Sequence, residues 1–224
     1  MKSKIIYSLL VLFILTSGPA QSQALNWHTL KKQNKHILSA QAGFDHGFSY
    51  GASYAYRLND RLFPAYISVD FSSPAGDQVL DDFKSRIGGS IHWLRYRNFR
   101  FSTNLYGVFR RYQNSFTTLS NFGSDFSGVI GYYRRHWFAA AETGFDKAIV
   151  THFKHAAAYK QQYPDVVDGW YEPATGGNFY YGLQAGVSFG KHDLWLKAGK
   201  TLVEDFKTRP TVPFYGQLGY NLKF

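Results

Sequence analysis

From about residue 38 to residue 224, apolar and polar side chains alternate with a period of two, which is the pattern of strands and not of helices. Phe179, Tyr181, Leu183, Ala185, Val187 and Phe189 form one face of a segment whose other face is Tyr180, Gly182, Gln184, Gly186 and Ser188. The last segment repeats the arrangement, with Phe214, Gly216, Leu218, Tyr220, Leu222 and Phe224 set against Tyr215, Gln217, Gly219, Asn221 and Lys223. Eight further segments begin at Leu38, Phe48, Phe63, Phe83, Phe99, Phe126, Trp137 and Leu194, which makes ten strands. Each is longer than the usual globular strand of about 5–6 residues and close to what a tilted strand needs to cross a bilayer.

The connections between these segments alternate in length. Residues 58–61, 96–98, 134–136 and 190–193 are short, whereas 72–82, 113–123, 151–177 and 203–211 are long; the first hairpin, at Asp45, His46 and Gly47, is tight. Short turns at one end and long loops at the other predict a transmembrane barrel with its turns in the periplasm. Trp93, Trp137 and Trp195 fall at the turn ends, and Phe44, Phe71, Phe83, Phe126, Phe179 and Phe214 at the loop ends, as two interfacial aromatic girdles. An even strand number returns both termini to the periplasmic side.

The alternative to a membrane barrel is a soluble barrel or sandwich with an apolar core. Its inner face would be the apolar one. Here the non-apolar face carries Lys84, Arg86, His92, Arg100, Asn104, Arg110, Glu142 and Asp146, more charge than a core buries cheaply. The fold expected is therefore all-β, a ten-stranded antiparallel transmembrane β-barrel over residues 36–224 with short periplasmic turns and longer extracellular loops. Ahead of it, residues 25–35 form a polar periplasmic lead-in. Residues 1–24 read as a secretory signal, with Lys2 and Lys4, an apolar run from Ile5 to Leu15, and Ser22, Gln23 and Ala24 as the cleavage site.

Composition sharpens this picture. The 224 residues include 20 Phe and 17 Tyr but no cysteine, which removes disulfides, thiol nucleophiles and Cys-ligated metals. A net charge of +10 gathers partly in the turns, at Arg57, Arg61, Arg95, Arg97, Arg134, Arg135 and Lys191. Charge in turns beside an apolar band suits phospholipid headgroups or plain solvation, and points away from nucleic acid, which needs a continuous basic groove with stacking aromatics.

Along its whole length after the signal, the chain resembles the bacterial outer-membrane β-barrel class. Its ending, Tyr220, Asn221, Leu222, Lys223 and Phe224, resembles the terminal aromatic strand by which the assembly machinery of that class recognises its clients. The resemblance implies a place in the outer membrane, contact with outer-membrane lipid, and engagement of the assembly machinery through Phe224. It implies no cofactor and no particular activity.

Three sets of residues are candidates for function. The lumenal set is Lys84, Arg86, Arg100 and Arg110 with Asp70, Glu142 and Asp146, expected either to pair across a plugged lumen or to line a narrow, anion-favouring channel. Gly88, Gly131, Gly144, Gly182 and Gly186 are expected to leave room for the long arginines. An enzyme that modifies lipid would need a nucleophile, base and acid, for which inward Ser90, His92 and Glu142 are the candidates, although polar lumens commonly hold such groups. The chain lacks a His-x-Ser-Asn segment of the lipid A deacylase type.

The third set is the loop 151–177. Thr151 is expected to cap a helix running to Tyr163, which would put His152 and His155 on one face as a conceivable Zn²⁺ or Ni²⁺ site; exposed imidazoles are the simpler reading. Tyr159, Tyr163, Trp170 and Tyr171 would make the loop a contact surface for a protein or surface ligand, or a lid. The expected function is a small non-enzymatic barrel with a structural or surface-interaction role; a narrow passive channel comes second and a lipid-modifying enzyme third.

Overall fold

The alternating segments form β1 (His36–Phe44), β2 (Phe48–Leu58), β3 (Ala65–Pro74), β4 (Asp82–Tyr96), β5 (Phe99–Gln113), β6 (Thr117–Tyr133), β7 (Trp137–His155), α1 (Ala157–Gln162), β8 (Gly169–Tyr171), β9 (Gly177–Phe189), β10 (His192–Val203) and β11 (Phe214–Lys223). This computed structural model describes residues 24–30, 33–44, 48–58, 63–75, 81–173, 176–208, 210 and 212–224. The expected signal, apart from Ala24, the first hairpin at 45–47 and most of the turn at 58–61 lie outside the described residues.

Every long strand pairs antiparallel with its neighbours, and the sheet closes on itself. β1 lies against β11, with Ile37 opposite Lys223 and Phe44 opposite Gly216. β6 lies against β7, and β7 against β9. Closure leaves none of the ten long strands with a free edge, which a membrane requires because lipid satisfies no backbone hydrogen bond. β8 is the eleventh strand, a short one added to the outer end of β7 with His152 opposite Trp170.

The outer wall is apolar, with Leu38, Ile67, Ile87, Leu105, Ile130, Leu183, Leu196 and Leu218 all exposed on it. The buried inner positions are polar or charged, among them Ser39, Asp70, Arg86, Asn104, Asp125, Glu142, Asp193, Lys197 and Lys223. A molecule that shows its greasy face outward and packs its charges inside is built for lipid. It is an outer-membrane type of β-barrel, located in the outer membrane.

Three expectations are corrected here. The connection 113–123 is not a loop, because β5 runs to Gln113, β6 starts at Thr117, and only residues 114–116 join them. Thr118 and Ser120 are polar on the outward face, yet Leu119 and Asn121 keep the inward alternation and the backbone stays paired. Trp195 does not belong to a girdle. The alternation that points Leu194 and Leu196 outward turns Trp195 inward, where it is 1% exposed and donates its indole N–H to Asn221 Oδ1 at 3.0 Å. Trp93 and Trp137 do face outward.

The lumenal glycines make room for aromatic rings and not for arginines. A Cβ on Gly144 would strike Tyr180, one on Gly182 would strike Tyr215, one on Gly186 would strike Phe138, and one on Gly219 would strike Trp195. At the short-turn end, Gly190 takes a φ of +63°, the left-handed conformation that lets β9 turn directly into β10.

Strand length rises from 9 residues in β1 to 19 in β7. β7 runs on from Lys147, the last residue paired with β9, to His155, with β6 paired beside it to Thr117, and this end stands up as a lip with α1 and β8 folded onto it.

A charge-filled lumen and an aromatic lip as the candidate functional site

Inside the barrel, ion pairs are stacked in layers along the axis. Nearest the loop end, Arg86 on β4 donates to Asp70 Oδ2 at 3.0 Å and to Asp125 Oδ2 at 3.2 Å. Its guanidinium lies 4.7 Å above the Tyr106 ring, and Tyr106 shares a 2.8 Å hydrogen bond with Ser68. Asp125 and Asp146 sit directly opposite each other on β6 and β7, an arrangement that repels unless cations answer it. Arg86 answers Asp125 and Arg110 pairs with Asp146, while Lys84 is near enough to act on Asp125 electrostatically. Tyr180 donates its hydroxyl to the second Asp125 oxygen at 3.0 Å.

The middle layer is Glu142 on β7, 2.7 Å from Lys197 Nζ on β10, with the Tyr215 hydroxyl donated to its other oxygen at 2.6 Å. Both charged side chains are fully buried. The layer at the short-turn end is Lys223 with Asp193, at 2.7 Å. Burying an ion is costly and pairing offsets much of that cost, so a narrow lumen filled with ions has to be filled with pairs.

Residues 24–30 enter this same end of the barrel and close it. Ala24, Leu25, Asn26 and Trp27 are buried. Asn26 Nδ2 donates to Ser188 Oγ at 2.7 Å and to the Arg134 carbonyl at 2.9 Å. Asn221 donates to the Ala24 carbonyl at 2.7 Å, Arg100 to the Trp27 carbonyl at 2.8 Å, and Lys223 to Thr29 Oγ1 at 2.6 Å. The Trp27 ring packs against Tyr66 and His92.

Of the lumenal candidates, Asp70, Arg86, Arg110, Glu142 and Asp146 stand in ion pairs, and four of the nine paired residues were not among the candidates. Those four are Asp125, Asp193, Lys197 and Lys223. Strict alternation through β6, β10 and β11 was the signal that would have placed them inside. Arg100 has a different role from the one expected, since it binds the backbone of the lead-in.

Ser90 and His92 share β4, Glu142 lies on β7, and no hydrogen bond joins the three. Ser90 hydrogen-bonds Tyr106, His92 packs tilted against Trp27, and Glu142 belongs to Lys197 and Tyr215. Two further strands, β5 and β6, stand between the strand of His92 and that of Glu142.

The lip corrects the reading of 151–177. Residues 151–155 continue β7, and the helix is only Ala157–Gln162, with Ala156 at its N-cap and no side-chain cap, so Thr151 caps nothing. On a strand, His152 and His155 point to opposite faces and do not converge on one ion. His152 faces outward against Trp170, with ring centroids 4.7 Å apart. His155 stacks on Tyr159 and binds Asp168 at 3.0 Å. Tyr159 meets Tyr163 at 4.9 Å, and Phe153 meets Tyr171 at 5.3 Å.

The contact candidates therefore split between two sides of the lip. Trp170 is on the outer side, while Tyr171 and the Tyr159–Tyr163 pair pack with Phe153 and His155 on the side of the barrel axis. Asp168 holds the return of the chain together. Hydrogen bonds from Lys160 Nζ at 2.5 Å, from the His155 amide at 2.9 Å and with the His155 ring keep its carboxyl well below the ordinary carboxylate range.

No protein-family model matches the chain, and no curated protein matches it in sequence. Among solved structures, the outer membrane enzyme PagL is similar with a TM-score of 0.37 and 12% identity, over 84% of this chain and 99% of that one. The beta domain of the Bordetella autotransporter BrkA is similar with a TM-score of 0.42 and 11% identity, over 85% of this chain and 99% of that one. Neither likeness carries an activity to this chain.

Proposed function

We propose that the protein is a sealed, non-enzymatic barrel whose work is done at its loop-end lip, as a surface-interaction protein. The observation that carries this reading is the lumen, where ion pairs are stacked in layers and the lead-in fills the short-turn end. A water-filled pore would need those charges solvated and apart. Sealing the interior leaves the protein's exchangeable surface at its ends and wall. Of these, the lip gathers aromatic side chains at the loop end: Phe116, Trp170 and Tyr171 are all exposed there. Exposed aromatics on a rigid strand framework suit a contact surface, because little ordering entropy is left to lose on binding.

Single-channel recording in a planar bilayer tests the sealed state, with insertion verified by heat-modifiable migration of the folded barrel. No discrete steps are expected at any salt concentration. Salt-dependent steps from the intact barrel would overturn the reading and make the lumenal arginines a filter. The contact role is tested by binding of cells displaying the barrel to an array of proteins and glycans. Replacing residues 156–173 by a short glycine turn should abolish whatever binding the intact barrel shows, while leaving barrel migration unchanged.

A further inference from the structure

On the outer wall, a ladder of rings runs around the loop end of the barrel. Phe71 meets Phe83 at 5.5 Å, Phe83 meets Phe109 at 5.8 Å, Phe109 meets Phe122 at 4.9 Å, and Phe122 meets Trp170 at 6.0 Å. Such a belt marks the boundary between acyl chains and headgroups. The rows directly above it are set by strand register. Arg111 is opposite Ser120, Ser120 opposite His152, and His152 opposite Trp170. One row higher, Gln113 is opposite Thr118 and Thr118 opposite Lys154.

All of these side chains share the outward face with Phe122. Arg111 donates to its neutral neighbour Gln113 at 2.7 Å, which steadies the guanidinium on the wall. No outward-facing residue of β5, β6, β7 or β8 is acidic. On the neighbouring stretch of β7, Lys147 is already answered, 2.8 Å from Glu204.

From this we infer that the outer wall of the lip, at Arg111, His152, Lys154 and Trp170, binds the phosphorylated headgroup of an outer-leaflet glycolipid. Arg111 supplies a planar fork of donors for phosphate and Lys154 a second charge one row above. Ser120 and Thr118 add hydroxyl donors between them, and Trp170 gives the sugar a flat apolar surface at the height of the headgroups. The site lies on the lipid-facing side; it shares Trp170 with the contact surface proposed for the lip, and Arg111 and Lys154, which that surface does not include, keep its test separate.

The test is native mass spectrometry of the folded barrel released from phosphatidylcholine vesicles. The vesicles contain either an acylated glycolipid phosphate or the same glycolipid without its phosphate. Preferential retention of the phosphorylated lipid is expected, falling roughly tenfold or more in Arg111→Ala/Lys154→Ala, since two cations near a membrane surface are removed. Ser120→Glu, which sets a carboxylate in the middle of the patch, should depress retention similarly, and Arg111→Lys/Lys154→Arg should keep it. These positions face outward, so barrel migration in detergent gels is expected to be unchanged. Equal retention of the two lipids, or retention indifferent to these substitutions, would overturn the site. So would full displacement by inorganic phosphate, which would make it a free-anion site.

Discussion

Glu142 and Lys197 show at single-residue scale what the lumen demands. Both are out of contact with water, so each is tolerable only because the other is there. Glu142→Gln keeps an acceptor for Tyr215 but strands the Lys197 ammonium, and should cost about 3–5 kcal/mol in urea unfolding from detergent. Adding Lys197→Met should return most of that loss; a double variant no more stable than the single would refute the pairing. Trp195→Ala is expected to cost a similar amount, about 3–5 kcal/mol, through the hollow it leaves against Gly219. Trp195 also marks where residue-level reading went astray. Its type suggested an interface and its parity put it inside, and parity wins because a strand cannot turn one side chain over without shifting its register.

At the scale of elements, the ten long strands were legible because lipid outside and polarity inside write a strong period-two signal. Their outer ends were not. Above the bilayer the outward positions Thr118 and Ser120 become polar, so the hydrophobic signal stops while the hydrogen-bonded ladder goes on to Gln113 and Thr117. β8 is three residues long and held by its pairing with β7, and α1 is a turn and a half, so neither leaves a periodic trace. What fixes this part of the lip is Asp168. A carboxyl whose folded pKa is lowered stabilises the state above its ordinary range and loses that contribution as pH falls through the lowered value. Hydrogen-exchange protection over residues 155–168, corrected for intrinsic rates, should be flat from neutrality down to about pH 4 and fall below it. Asp168→Asn should remove that protection at every pH, and an unchanged exchange pattern would deny Asp168 this role.

For the whole molecule, the question is which barrier keeps the barrel shut: the lead-in at the short-turn end or the ion pairs deeper inside. The lead-in is the weaker of the two, being a handful of hydrogen bonds around Asn26, Trp27 and Thr29. It also carries a pH dependence. Burial, then the neighbouring Arg100, Arg95 and Arg134, hold His28 below its usual imidazole value. A histidine with a lowered folded pKa binds protons more readily when released, so the seal should weaken as pH drops below about 6.5. Protease cleavage within 24–30 should therefore rise under mild acid in the parent protein and stay flat in His28→Gln. The barrel should nevertheless remain silent in a bilayer at that pH, and after truncation through residue 30, because Arg86 with Asp70 and Asp125, and Lys197 with Glu142, still lie buried in the interior. Conductance should appear only when the truncation is combined with Arg86→Ala, Asp70→Ala, Asp125→Ala, Arg110→Ala and Asp146→Ala, which clears the layer nearest the loops, and Glu142→Ala with Lys197→Ala, which clears the one beneath. Steps from the truncated barrel alone would move the barrier to the seal and make the lead-in a plug whose release opens a pore.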